Sequence, residues 1–326
     1  APGQNRNFLR IHKKRRIQFR RKKFSERYKR NVQGNPHKIR KQQTVQDFEL
    51  IVCDDCSTDS TKAILNEYAE NDSRIKVFFN EKNLGFKKNF EKAIFLCSGD
   101  YIALSDQDDI WTENHLQVLL ENIGNNDLVG ANAFLCDEIA KSTGVDLLSC
   151  SKIDFLPNLK DDWFFFLLHS NIFQGAACIF RKSLVQKSIP IPENVKFHDY
   201  WLALIASVNG GVTYVNECVL YYRQHGTNVT KNEKWKFLVK IKNAIKKRNF
   251  HFIKEQVEIL QALLHKDLNL SHQKEVKESI EFYKSLGTFK RFKFLFWYWR
   301  NFYKMNCCSD KKLKISCFIK NIILGI

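Results

Sequence analysis

The chain has 326 residues, 44% of them apolar, with a formal net charge of +18 and ten cysteines. That apolar share suffices for a full core and excludes a disordered chain, and no apolar run reaches the roughly 18 residues a bilayer span requires. The charge is uneven: residues 1–41 hold 16 Lys/Arg and one acid, Glu26, which leaves the rest nearly balanced at +3.

The N-terminal block "RIHKKRRIQFRRKKFSERYKR" has no apolar segment of the secretory type. It reads as a disordered basic arm, with nucleic-acid or phospholipid binding as the weaker alternative. The first residue is Ala1 and the only methionine is Met305. Residues 1–41 are therefore expected to be an arm or the product of a displaced start or frame. The cysteines are expected to be reduced thiols of a cytoplasmic protein rather than a disulfide framework.

From residue 48 charge gives way to alternation. "FELIVC" is a continuous apolar run suited to a strand buried on both faces, and "CSTDSTKAILNEYAE" follows it with cap residues and a helical pattern. "RIKVFFN" predicts a strand, "KKNFEKAIFLCSG" a helix closed by Gly99, and "DYIALSD" a third strand. "WTENHLQVLLENIG" reads as a helix, "DLVGANAFLC" as a strand, "DDWFFFLLHS" as a buried helix and "GAACIFRK" as a strand. "HDYWLALIASVNG" predicts a helix and "GVTYVNECVLYYRQH" paired strands; from about residue 231 the chain reads as helical, basic and aromatic. Strand and helix alternate, which points to an α/β fold with a mostly parallel, Rossmann-like sheet covered by helices. Ligands of such sheets sit at the carboxyl ends of strands.

Two acidic groups lie at such ends. Asp54 and Asp55 follow "FELIVC", and "SDQDDIW" gathers Asp106, Asp108 and Asp109 within four residues. Carboxylates this close repel one another, and a divalent cation is the usual reason to gather them. The competing explanation is a cap, Asp108 or Asp109 at the start of a helix near Trp111, and spacing alone does not separate the two.

The stretches "DFELIVCDDCSTDST", "NEKNLGFKKNFEKAI" and "GDYIALSDQDDIW", in that order, resemble the motifs of the family 2 glycosyltransferases. These are inverting enzymes of the glycosyltransferase-A fold, and bacterial members that build surface polysaccharides, including rhamnosyltransferase-like ones, are the most similar. The resemblance runs over residues 42–230 and leaves residues 231–326 as a helical extension. It implies that Asp55 bonds the nucleotide base, that Asn83 and Gly85 form the turn beneath the nucleotide, and that Asp106 and Asp108 are an Asp-x-Asp motif. Asp106 would lie toward ribose and metal, and Asp108 would ligate the Mg²⁺ or Mn²⁺ that bridges a UDP- or dTDP-sugar. It further implies Gln174 and Gly175 beside the acceptor, Asp199 of "FHDYWLAL" as catalytic base, and His225 of "YYRQHGTN" near metal or diphosphate. Taken alone, Asp199 would also suit a helix cap, Gly85 an ordinary loop, Lys88 a solvated charge and His225 a surface histidine.

The family's usual first strand finds no counterpart in residues 1–41, so the sheet is expected to lack a strand beside "FELIVC". Cys53 and Cys56 have no second Cys-x-x-Cys pair to complete a zinc site, and they read as a packed residue and a loop thiol. The segment "FKRFKFLFWYWRNFYK", residues 289–304, would lie on a membrane surface near a glycan or polyprenyl-linked acceptor, or pack its aromatics on the catalytic domain. Two other function classes compete with transfer. One is an inactive homologue that holds nucleic acid or anionic membrane through its arm, and the other is a two-metal nuclease, for which no further carboxylate set is evident.

Overall fold

The computed structural model describes residues 43–106, 109–137, 142–223, 253–286 and 288–318. The run Leu50–Asp54 is buried at every position and forms strand β1. Helix α1 (Thr61–Asn71) carries the chain back to β2 (Ile75–Phe79), which pairs with β1 in parallel, a βαβ unit. Glu49, just before β1, is buried and accepts bonds from Lys76 Nζ (2.8 Å), Ser98 N (2.6 Å) and Ser98 Oγ (2.7 Å). Burial would raise this carboxyl's pKa, but those bonds outweigh it and bring it down to about 2. The start of β1 is thus tied to β2 and to the turn before β3.

Helix α2 (Gly85–Phe95) leads to β3 (Tyr101–Ala103), and β4 (Ile110–Trp111) and α3 (His115–Asn122) lead to the long β5 (Leu128–Cys136). β6 (Ser142–Asp146), α4 (Leu147–Ser151) and α5 (Lys160–Leu167) follow, then β7 (Cys178–Arg181), α6 (Val185–Ser188), α7 (His198–Val208) and β8 (Val212–Arg223). A helix over residues 253–263, here α8, precedes α9 (Leu270–Ser285), α10 (Leu295–Asn306) and α11 (Lys311–Phe318).

The main sheet has the order β3-β7-β5-β8-β4, with β6 on the far part of β5. It is buried on both faces, as period-2 alternation shows. Ile102, Leu128 and Phe180 point into one core with α5, α7 and the C-terminal helices, while Ala103, Val129 and Ile179 point into another with α3. Phe282, Tyr298, Phe302 and Met305 from α9 and α10 belong to the first core, so those helices pack on the catalytic sheet.

The α/β architecture agrees with the sequence, and three details differ. The sheet is mixed rather than mostly parallel: only β1–β2 and β5–β8 are parallel, whereas β3–β7, β5–β7, β5–β6 and β4–β8 are antiparallel. Alternation of strands and helices records that a crossover exists but not its direction. Residues 212–223 form one long strand instead of two, with register shifts opposite Ala131–Ala133 that absorb the polar Asn216 and Glu217. Helix α2 ends at Phe95 with Leu96 as its cap, so Gly99 does not close it. Among the described residues β1 pairs only with β2 and β3 only with β7, and no ladder joins the two sheets.

Candidate active site

The chain leaves β1 through Asp54 and Asp55. Asp54 is buried and its carboxylate accepts from Ser57 N (3.0 Å). Asp55 instead turns toward the start of α2, where its Oδ1 accepts from Leu84 N (2.7 Å) and Asn80 Nδ2 (2.9 Å), and its Oδ2 accepts from Gly85 N (2.9 Å). A carboxylate at this helix end meets N–H groups without intrahelical partners and the positive end of the dipole. Asn83 braces the turn, with its Oδ1 accepting from Gly85 N (2.9 Å) and its Nδ2 donating to the Asp55 carbonyl (3.3 Å). Gly85 has φ +73°, in the left-handed region, and a Cβ there would meet nothing within 4 Å, so backbone conformation rather than space asks for glycine.

Behind Asp55 stands an amide clamp absent from the sequence-derived site. Asn80 also donates to Asn89 Oδ1 (3.0 Å), and the fully buried Asn89 donates to the Cys53 carbonyl (3.1 Å). Buried amides in helical or strand-like stretches, with no apolar role, were the one available signal. Cys53 packs among Ile51 and Ala93, and Cys56, at φ +62°, donates its thiol to the Asn80 carbonyl (3.2 Å); both are free thiols. Lys88 forms an ion pair with Glu91 (2.9 Å) and is half exposed, a surface role.

Asp106 follows β3 and is exposed; Asp108 and His225 lie outside the described residues. Asp109 caps no helix, since α3 begins only at His115 with Asn114 as its N-cap residue. It is buried, and its Oδ1 accepts from Arg223 N (3.2 Å), which fastens the acidic loop to the carboxyl end of β8. Among the described residues no three His, Cys, Asp or Glu side chains converge as metal ligands. Asp106 offers one exposed carboxylate, and one or two carboxylates plus phosphate oxygens are what Mg²⁺ ordinarily takes.

The second group of candidates does converge. Gln174 precedes the single 3₁₀ turn Gly175–Ala177, and Gly175 N donates to Asp199 Oδ2 (3.0 Å). Asp199 sits in the first turn of α7, partly exposed, and its Oδ1 accepts from Tyr200 N (2.7 Å). Burial raises its pKa above the ordinary carboxylate value, against the opposing pull of the Tyr200 and Gly175 N–H groups. The N-cap residue of α7 is Phe197, with no side-chain cap, so Asp199 does not serve as the cap. Gln174 Oε1 is enclosed, and among the described residues nothing donates to it. A Cβ on Gly175 would touch Asp199 Cβ and His198 Nε2, both at 3.4 Å, so the chain passes close against the carboxylate.

Helix α2 joins the two groups. Its start is held by Asp55, and two residues on, Lys87 Nζ donates to the carbonyls of Pro192 (3.0 Å), Glu193 (2.6 Å) and Val195 (3.2 Å). Three acceptors satisfy the three N–H bonds of the ammonium. Phe90, on the same helix, stacks on His198 with ring centroids 4.0 Å apart. The loop that delivers Asp199 is therefore anchored to the helix that begins at Asp55.

The family model for glycosyl transferase family 2 matches residues 26–188, half of the chain. The chain belongs to glycosyl transferase family 2. The match opens inside the basic N-terminal segment and ends just before α7. An uncharacterized glycosyltransferase of Haemophilus influenzae is 28% identical over 226 residues, 68% of this chain and 82% of that protein. The Escherichia coli UDP-Glc:alpha-D-GlcNAc-diphosphoundecaprenol beta-1,3-glucosyltransferase WfgD is 38% identical over 86 residues, 26% of this chain and 33% of WfgD. S. aureus TarS 1-349, solved in complex with UDP-GlcNAc, superposes with a TM-score of 0.56 at 17% identity, covering 94% of this chain and 81% of TarS 1-349. That likeness establishes the glycosyltransferase-A type of fold for this family 2 chain.

Proposed function

We propose that the protein transfers a sugar, with inversion, from a nucleoside-diphosphate sugar to a glycan or polyprenyl-linked acceptor in cell-surface polysaccharide assembly. The observation that carries this reading is Asp199: a carboxylate in the first turn of α7 whose pKa burial raises and which Gly175 N–H holds in place. Inversion requires a base that takes the proton of the acceptor hydroxyl as its oxygen attacks the anomeric carbon opposite the leaving diphosphate. A carboxylate whose charged form is penalised by burial is the stronger base. Similarity to WfgD, named for a diphosphoundecaprenol acceptor, supports the lipid-linked class, and similarity to TarS, solved with UDP-GlcNAc, supports the donor class.

On the donor side, Asp55, Asn83 and Gly85 shape the seat of the uracil or thymine base. Asp55 is held in place by three N–H donors of its own chain, and a base N3–H would be a further donor to the same carboxylate. Asp106 and Asp108 would hold Mg²⁺ or Mn²⁺, which when bound neutralises charge on the departing nucleoside diphosphate. Such an enzyme works at the inner face of the cytoplasmic membrane, in contact with it where the acceptor is lipid-linked. The test is release of UDP or dTDP from the nucleotide sugar with acceptor present, with and without EDTA. Loss of release with EDTA and in Asp108→Ala, with circular dichroism unchanged, is expected; full activity of Asp108→Ala without added metal overturns the metal assignment.

A further inference from the structure

Aromatic side chains are costly to leave in water, and the C-terminal helices expose several in a row. Phe289 is 87% and Phe296 76% exposed, with Phe292, Leu295 and Trp299 also exposed. The same segment buries Phe294, Tyr298, Phe302 and Met305 in the core. In α10 the buried set recurs at spacings of four and three, and Phe296, Trp299, Arg300 and Lys304 lie on the opposite side. The inward face is thus satisfied, and the outward face is aromatic at its centre and cationic at its flank.

Its charge singles out an occupant. Residues 289–315 contain eight Lys/Arg and one acid, Asp310. Lys293 pairs with Glu281 (3.1 Å), Lys304 pairs with Asp162 (2.9 Å), and Lys314 lies over the Trp299 and Tyr303 rings at 4.2 Å. Arg300 adds a cation on that side, which Asp161, Asp162, Glu275 and Glu278 also border next to Lys293 and Lys304. Among the described residues no helix is long and apolar enough to cross a membrane. A protruding row of aromatic tips bordered by cations fits a planar leaflet that admits the tips and neutralises the border.

We infer that the outward face of residues 289–304 docks on an anionic phospholipid surface, with Phe289, Phe292, Phe296 and Trp299 in the interfacial layer. The inference stands apart from the transfer chemistry, because a chain inactivated at Asp199 would dock equally.

The test uses the full chain and sedimentation with phosphatidylcholine vesicles, with and without phosphatidylglycerol. Partition onto the phosphatidylglycerol vesicles is expected, and Phe289→Ser/Phe296→Ser should weaken it at least about tenfold, since each buried aromatic contributes substantially to interfacial affinity. Both residues are highly exposed, so unchanged thermal unfolding should accompany the loss. Lys290→Glu/Arg300→Glu should remove the preference for phosphatidylglycerol. Brominated lipid should quench tryptophan emission in the parent, and less so in Trp299→Phe. Partition of the double phenylalanine variant equal to the parent overturns the inference, because the cations of residues 1–41 would then account for binding. Conversion of a dimer to a monomer by that variant, or binding to single-stranded RNA rather than vesicles, also overturns it.

Discussion

The end of β1 and the start of α7 each present an aspartate, and the two are treated in opposite ways. Asp55 is met by three N–H donors from the α2 turn and from Asn80. Asp199 receives one N–H from Gly175 and one from its neighbour Tyr200, and burial dominates its ionisation. A carboxylate wrapped in donors is a fixed acceptor, whereas a carboxylate on which burial outweighs its donors favours the proton. The difference teaches that two half-buried aspartates of one chain are set apart by what surrounds them, not by residue type.

The comparison breaks most sharply at Asp199. Asp199→Asn should lower kcat by about 10³-fold, within the span general bases ordinarily supply, with nucleotide-sugar affinity by calorimetry unchanged. Because the folded-state pKa is raised, the fold favours the protonated form, and that stability is lost as pH rises through the folded value. The amide loses one of the two N–H bonds but also the penalised charge, so its melting temperature should gain on the parent's as pH rises from about 4 to about 8, and a difference that does not change with pH would refute the raised pKa. In the parent, the acid limb of the kcat/KM profile should fall above the range of an ordinary aspartate.

Asp55→Ala should act on the other half. It removes the cap of α2 as well as the base acceptor, so stability should fall by about 1–2 kcal/mol and nucleotide-sugar binding should weaken about tenfold. Retained affinity in a destabilised variant would reduce Asp55 to a structural cap. The smallest effect is expected between the two sites. Lys87→Met unties the loop over 192–195 and should lower kcat about tenfold while the calorimetric affinity for the donor holds, since small misplacement of a catalytic group is costly in rate. Equal losses in kcat and donor affinity would show that α2 serves the donor side alone.

Much of this architecture was legible beforehand for identifiable reasons. Continuous apolar runs gave β1, β3 and β5, and periodic patterns gave α1, α2, α3, α5 and α7, because burial on one or both faces leaves its period in the sequence. The resemblance implies Gly175 beside the acceptor and Asp199 as the base, and the two are in hydrogen-bond contact. Strand direction was not legible, because the same alternation of elements serves parallel and antiparallel returns. The Asn80–Asn89 clamp and the Lys87 tie also escaped notice, since an amide or an ammonium in an amphipathic stretch looks the same whether it faces water or three carbonyls. Spacing leaves Asp109 between a cap and a metal ligand, and it fastens the loop to β8 because the long strand brings Arg223 alongside.

From the order of its residues alone, the chain settled its α/β class, its family and the positions of its carboxylates, since local periodicity and motif chemistry act over a few residues. The tertiary structure decided that burial outweighs the donors at Asp199 and that the α2 turn wraps Asp55 in donors. It also decided which aromatics of residues 289–304 are buried, Tyr298 and Phe302, and which stand in solvent, Phe289 and Phe296. Desolvation and exposure depend on elements distant in sequence, and no local pattern records them.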